Sequence, residues 1–468
     1  MSALEKSALW PFAEYAAGLH PEGLPSDVLH AAKRCLLDWF AATLPGTVIA
    51  PATLLTAAFQ DCIHEPGGRG GARLYPSGET TDARTAAFIH GAASHTVEFD
   101  DIYRNAIYHP GVPVISAALA VAQARGVSGA HLLTGIVAGY EVSDRLGAAV
   151  NPAHYEFWHT TGTIGTFGAA AAAANILGLT AEQTLHALAN AGTLAAGLQQ
   201  AFRADAMAKP LHGSHAAERG VTVALAAEQG VTGAPDILEG PRGFGAAMCL
   251  NGMADAQPDW AKAASTLGTD YLIKQTTTKN HAACGHSHAA IDGVLELAKA
   301  HDLTPADVRQ IRVGSYQKAE EICGNWNPQT PYEAKFSLPY CCAAALVWGS
   351  VRMAAFTPER LNDPQVRALM PLIGLKTDPE RQAAFPALRS ANVEIETIDG
   401  RVLTHFAPTR KGDPDAPLSD AELEDKFREL ASDVLGQAGA ESLLAAIWSI
   451  DAMGNSRDLV AAPAQAAQ

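Results

Sequence analysis

The chain reads as a mainly α protein: a large all-helical region joined to a smaller α/β unit. Three observations predict this. Up to Pro258-Asp259-Trp260, Ala-rich stretches carry apolar residues at helical spacing, separated by short Gly/Pro turns. Beyond that point Ile311 and Val313 alternate with charged or polar neighbours. The stretch 391–406 also alternates through Val393, Ile395 and Thr397, turns at Asp399-Gly400 and returns through Val402 and Thr404, as a hairpin does. From Leu418 the helical period comes back.

In chain order, Ser26 is positioned to cap a first helix whose one face carries Val28, Ala31, Cys35 and Leu36. Gly67 to Gly71 reads as a flexible turn, since it lacks the Lys-Ser/Thr ending of a phosphate loop. Helices are predicted over 83–95, 112–124, 129–146, 164–177, 181–198 and 216–229. The most apolar run, Ile164 to Leu179, is short for a membrane span and contains Asn175, so it reads as a buried helix. Helices over 287–301 and 336–350 lie between the predicted strands, and 418–435 and 440–453 are amphipathic. The expected organisation is a first helical segment over 1–268, an α/β domain over 269–410, a returning helical segment over 411–458, and a disordered Ala/Pro/Gln tail over 459–468.

A chain of 468 residues is long for one core, which favours two domains. Its 49 acidic against 33 basic residues give a net charge of −16. That argues against nucleic acid or an anionic membrane as partner, since both require a basic face, but not against a small anionic substrate, which feels the local field. The seven cysteines are odd in number and include adjacent Cys341-Cys342, a poor disulfide framework, so a reducing cytoplasm is expected. The N-terminus has no basic region followed by an apolar core, and no signal peptide is expected.

The chemistry concentrates in three histidine-bearing stretches. Glu98, Asp100 and Asp101 place three carboxylates together, flanked by His95, Val97, Phe99 and Ile102, and crowding of like charges raises at least one carboxyl pKa. His109-Pro110-Gly111 holds an imidazole on a fixed turn. His159 precedes Thr160-Thr161-Gly162-Thr163, the start of an Ala helix whose free N–H groups suit a carboxylate. Lys209 stands in an otherwise apolar stretch ahead of His212 and needs a partner or the surface. Any one of these histidines alone reads better as a helix-end or core residue; three clusters together point to proton transfer on a small anion. His281, Cys284, His286 and His288 form a separate group. As a strand it would present Cys284, His286 and His288 on one face, the basis of an alternative reading as a metal-dependent hydrolase. There is no Gly-x-Ser-x-Gly, dinucleotide fingerprint, phosphate loop or His-Glu-x-x-His.

These residues, with Leu24-Pro25-Ser26-Asp27-Val28, Gly91 to His95, Lys279 to His288 and Glu333 to Ser337, resemble the MmgE/PrpD family over nearly the whole chain. That family includes 2-methylcitrate dehydratases, cis-aconitate decarboxylases and iminodisuccinate epimerases. The resemblance implies a large helical domain built from both ends of the chain, a smaller α/β lid domain, a homodimer, and a cytoplasmic lyase without cofactor or metal. It implies His109, His159 and Lys209 as catalytic residues. It implies Glu98, Ile102, His281, Cys284, His288 and Tyr340 around the substrate, to which the residue reading adds Asp100, Asp101 and His212. Many members carry Asp at the position of Glu98 and Thr at that of Ile102. The expected reaction is decarboxylation of a small di- or tricarboxylate, with dehydration or epimerisation as alternatives that share a carbanion-like intermediate.

Overall fold

The computed structural model describes residues 4–203, 206–249 and 257–461. The chain divides into two compact units, one from its start to Thr276 together with the segment from Asp420 onward, the other Thr277–Ser419.

The first unit is built from α1 (Trp10–Gly18), α2 (Ser26–Thr47), α3 (Ala83–Thr96), α4 (Gly111–Arg125), α5 (Gly129–Val150), α6 (Thr160–Ile176), α7 (Ala181–Leu194) and α8 (Ala208–Glu228). Every residue of α6 is buried, as its run of small and apolar residues without a charge allows. It packs against α4, α5, α7 and α8. Small residues make this possible: a Cβ on Gly220 would stand 2.3 Å from Ala169 Cβ, and one on Gly139 would stand 2.8 Å from the Gly168 carbonyl oxygen. The high Ala/Gly content therefore translates into close helix–helix approach. Among the described residues no single helix is long and apolar enough to cross a membrane.

Several local expectations are corrected. Ser26 is the first residue of α2, after Pro25, and no side chain caps that helix. The helix expected from residue 216 begins at Ala208, because Pro210 falls in its first turn, where the missing N–H has no intrahelical partner to lose. A two-stranded ribbon, β1 (Ala72–Arg73) with β2 (Thr80–Thr81), interrupts the helical region.

The second unit holds a four-stranded sheet of β3 (Val308–Ser315), β4 (Ile373–Thr377), β5 (Ala391–Thr397) and β6 (Val402–Ala407), in the order β4-β3-β5-β6. The predicted hairpin is present, with Val393 facing His405 and Ile395 facing Leu403. β4 was not expected; it pairs parallel to β3, with Ile311 beside Ile373. Helices α9 (His288–His301) and α10 (Leu338–Trp348) complete this unit. The chain then enters α11 (Asp420–Trp448), broken at Gly436 (φ 71°), inside the interval left between the two predicted C-terminal helices.

The unit boundaries fall a few residues beyond 268 and 410 for identifiable reasons. Ile273 N–H donates to Glu141 Oε1 at 2.9 Å, tying that segment to α5. Thr278 N–H donates to the Gly412 carbonyl at 2.9 Å, and the buried Arg410–Asp413 pair (2.6 Å) sits in the second unit. Of the tail expected to be disordered, 462–468 lie outside the described residues.

Candidate active site

Four imidazoles converge in the first unit from four different elements. His95 ends α3, His109 precedes α4, His159 stands at the N-terminal boundary of α6, and His212 lies in the first turns of α8. The His95 ring lies parallel to that of His159 (centroids 5.6 Å apart, 12° between planes) and meets His109 edge-on at 4.8 Å. His159 Nδ1 is 3.0 Å from His212 Nδ1. Two such nitrogens share one proton, so one ring donates and the other accepts.

The backbone explains the convergence. The chain leaves α3 through Val97, and Glu98 takes a left-handed conformation (φ 58°) that swings Phe99 to Asp101 back under the helix end. Asp100 Oδ2 then lies 2.8 Å from both His95 Nδ1 and His109 Nδ1. Asp101 turns elsewhere: it accepts from Gly111 N–H (3.0 Å) and from the Tyr140 hydroxyl (2.7 Å). Burial, then the Asp38 charge, push its carboxyl up to about 8. It braces the His109-Pro110-Gly111 turn, and a Cβ on Gly111 would stand 2.9 Å from its Oδ1. Thr161 completes the turn by accepting from His109 N–H at 3.3 Å. Ile102 is buried directly after the carboxylates.

Lys209, in the first turn of α8, pairs with Glu98; both side chains are almost fully buried. The cation expected to greet an anion thus already has a carboxylate partner, and its ammonium also stands 5.8 Å from the Phe202 ring centroid. Phe202 meets His159 edge-on at 4.7 Å. His159 N–H donates to the Gly197 carbonyl (2.9 Å), and Gly162 admits this loop, since a Cβ there would stand 2.4 Å from the Ala196 oxygen.

The electrostatics separate the rings. Burial foremost, then the neighbouring His95, His212, Lys209 and His109, hold the His159 imidazole well below its ordinary pKa. His212 is lowered to about 4, again chiefly by burial. The His109 side chain keeps 14% exposure and faces the Asp100 carboxylate. Among the described residues, His95, Asp100 and His109 form the only group of three or more His, Cys, Asp or Glu whose ligand atoms lie close enough to share a metal ion.

The second histidine group behaves differently. His281 Nε2 lies 2.8 Å from Asp292, His286 Nδ1 2.8 Å from the Tyr316 hydroxyl, and His288 Nε2 3.1 Å from the Ala283 carbonyl. The segment before α9 is a series of turns, not a strand, so Cys284, His286 and His288 do not share a face. The metal-hydrolase reading fails on this geometry. Cys284 is buried with its N–H on the Lys335 carbonyl, and the Tyr340 hydroxyl donates to the Ala355 carbonyl at 2.6 Å.

Sequence reasoning missed His95, Phe202 and Tyr140. His95 and Asp100 stand five positions apart, and only the left-handed turn at Glu98 brings them together.

The MmgE/PrpD N-terminal domain matches residues 11–257 and the MmgE/PrpD C-terminal domain matches 281–452. The chain belongs to the MmgE/PrpD family. Within it, the chain is 30% identical over 464 residues to the cis-aconitate decarboxylase of Homo sapiens, covering 95% of this chain and 92% of the relative. It is 28% identical to the cis-aconitate decarboxylase-like protein oryM of Aspergillus oryzae, over 95% and 94% of the two chains. It is 24% identical to the cis-aconitate decarboxylase of Aspergillus terreus, over 93% and 92%. The family's N-terminal domain thus contains the whole histidine cluster with Asp100, Glu98 and Lys209, while the 281–288 segment opens its C-terminal domain.

Proposed function

We propose that this MmgE/PrpD protein is a cofactor-independent lyase that decarboxylates cis-aconitate or a closely similar small tricarboxylate. The observation that carries the reading is the convergence of four imidazoles, two of them on Asp100, near the buried Lys209–Glu98 pair. Full-length similarity to cis-aconitate decarboxylases supports the reaction class.

Breaking a carbon–carboxylate bond releases CO2 and leaves an electron pair on the carbon skeleton. One proton must then be delivered to carbon, so a tricarboxylate trianion and one proton become a dicarboxylate dianion and CO2. His109 is the proton carrier: its ring is partly accessible, and Asp100 at 2.8 Å compensates positive charge on it. His159, whose proton affinity is lowered first by burial and then by its neighbours, acts as the neutral ring and positions substrate through hydrogen bonds. Lys209 exchanges its contact with Glu98 for a substrate carboxylate, a charge-assisted contact in a dry site.

The seven free cysteines support a reducing, cytoplasmic setting, and the family resemblance supports a homodimer, which light scattering on the purified protein checks. The reading is tested by incubating the enzyme with cis-aconitate, 2-methylcitrate, citrate and iminodisuccinate and following products by NMR. Release of CO2 with a five-carbon dicarboxylate from cis-aconitate is expected. Turnover of 2-methylcitrate or iminodisuccinate with cis-aconitate untouched would replace decarboxylation by dehydration or epimerisation.

A further inference from the structure

We propose that His95 is a positioning residue that acts through Asp100 to hold His109 in one tautomer, with the proton on Nδ1 and the Nε2 face turned to the substrate. The proposal rests on the reading of His109 as proton carrier.

His95 Nδ1 hydrogen-bonds Asp100 Oδ2 at 2.8 Å, and His109 Nδ1 stands at ion-pair distance, also 2.8 Å, from the same oxygen; a carboxylate only accepts, so a proton on each Nδ1 is what suits this approach. His95 Nε2 supports that assignment: it is fully buried and meets no hydrogen-bond partner, which suits a bare lone pair and not a proton. The His95 ring then does two mechanical jobs. It holds Asp100 Oδ2 beside His109, and the two rings pack edge to face at 4.8 Å. It also lies flat against His159, so one side chain sets the spacing of the two imidazoles nearest the chemistry. His95 itself is wholly inaccessible, and its one carboxylate contact is spent on orienting a neighbour. A carboxylate that fixes the tautomer of a general acid or base is a known way to make its other nitrogen available. Here the carboxylate is in turn fixed by a second imidazole.

The groups facing His95 come from every surrounding element: Asp100 and His109 from the loop after α3, His159 from the start of α6, and, at longer range, His212 from α8, whose pKa His95 lowers. Removing His95 therefore also relieves His159 and His212 of one depressing neighbour.

The test compares His95→Asn, Asp100→Asn and the double variant in decarboxylation kinetics. His95→Asn is expected to lower kcat by about 10–10²-fold with KM changed by less than about threefold, the scale of a misoriented reacting group. The histidine limb of the pH profile is expected to move upward. Because both residues act on one imidazole, the double variant should be no slower than Asp100→Asn alone. Losses that multiply, or an unchanged kcat and pH limb in folded His95→Asn, would overturn the proposal. Should the variants not fold, wild-type enzyme decides: neutron diffraction or ¹⁵N NMR of the imidazoles should find Nδ1–H on both His95 and His109. A neutral His109 with its proton on Nε2 and a bare Nδ1 toward Asp100 sinks it. Failure of the proton-carrier reading is distinguishable, since it shows as unimpaired turnover in His109→Gln whatever the tautomers are.

Discussion

The two histidine groups of this protein look alike in the sequence and differ in space. His281, Cys284, His286 and His288 fall within eight residues, the spacing of a metal site, yet each ring sends a nitrogen to a different partner: Asp292, the Tyr316 hydroxyl, the Ala283 carbonyl. His95, His109, His159 and His212 are scattered over more than a hundred residues, yet their rings pack on one another, and two of them share one carboxylate. Proximity along the chain thus left each imidazole on a partner of its own, while convergence of helix ends brought imidazoles together. The physical difference is the fate of the polar atoms. In the second unit one nitrogen of each ring is held by its own fixed partner; in the first, one carboxylate serves two rings and one proton serves the His159–His212 pair.

The comparison can be broken at several points. The largest expected effect is at Lys209. Lys209→Ala should lower kcat/KM for cis-aconitate by at least about 10²-fold, the scale of a lost charge-assisted contact in a dry site, with circular dichroism confirming the fold. Near-normal kinetics in the folded variant would leave the Lys209–Glu98 pair a structural one.

A purely structural buried pair should behave in the opposite way. Lys426 Nζ lies 2.6 Å from Asp38 and 2.7 Å from the Phe99 carbonyl, tying α11 to α2 beneath the carboxylate loop. Removing one partner leaves a buried charge, so Lys426→Ala should cost about 3–5 kcal/mol of stability, read by chemical denaturation. A loss below about 1 kcal/mol would show that the pair is dispensable.

Acid should expose the buried neutral imidazoles. His90 and His154 are both lowered from 6.5 to about 4 by burial. A lowered folded pKa means that the unfolded chain binds more protons between those values. Their contribution is therefore fully present above pH 6.5 and is lost as pH falls toward 4. Thermal melting should drop steeply across that window, and His90→Gln should flatten the slope; a slope unchanged by it would contradict the assignment.

The smallest effect is expected at the second histidine group. Dialysis against EDTA should leave kcat within about twofold, and Cys284→Ala should leave zinc binding by equilibrium dialysis unchanged, since the ligand atoms there do not converge. Restoration of lost activity by zinc would reverse this.

Much of the fold was legible because α4, α5 and α6 carry long apolar periods that only burial explains. The hairpin was legible from its alternation and Asp399-Gly400 turn. β4 was not: Ile-Gly-Leu-Lys-Thr is short, contains Gly, and becomes a strand through its parallel pairing with β3. For the site, His109, His159 and Lys209 stood out against small or apolar neighbours. His95 did not, because inside a helix it looks like any core residue; its partner is set by the left-handed turn at Glu98. Asp101 looked like a site carboxylate and instead braces a turn, a difference that depends on Tyr140, 39 positions away.

The central claim is that the imidazole cluster puts a solvent-derived proton on carbon as CO2 leaves. It is tested most directly by turning over cis-aconitate in deuterated water with wild-type enzyme and His109→Gln. The account predicts one deuteron in the dicarboxylate product per CO2 released by the wild type, and a loss of about 10²–10⁴-fold in kcat for a folded His109→Gln. A wild-type product free of deuterium, or wild-type turnover in His109→Gln, would contradict it.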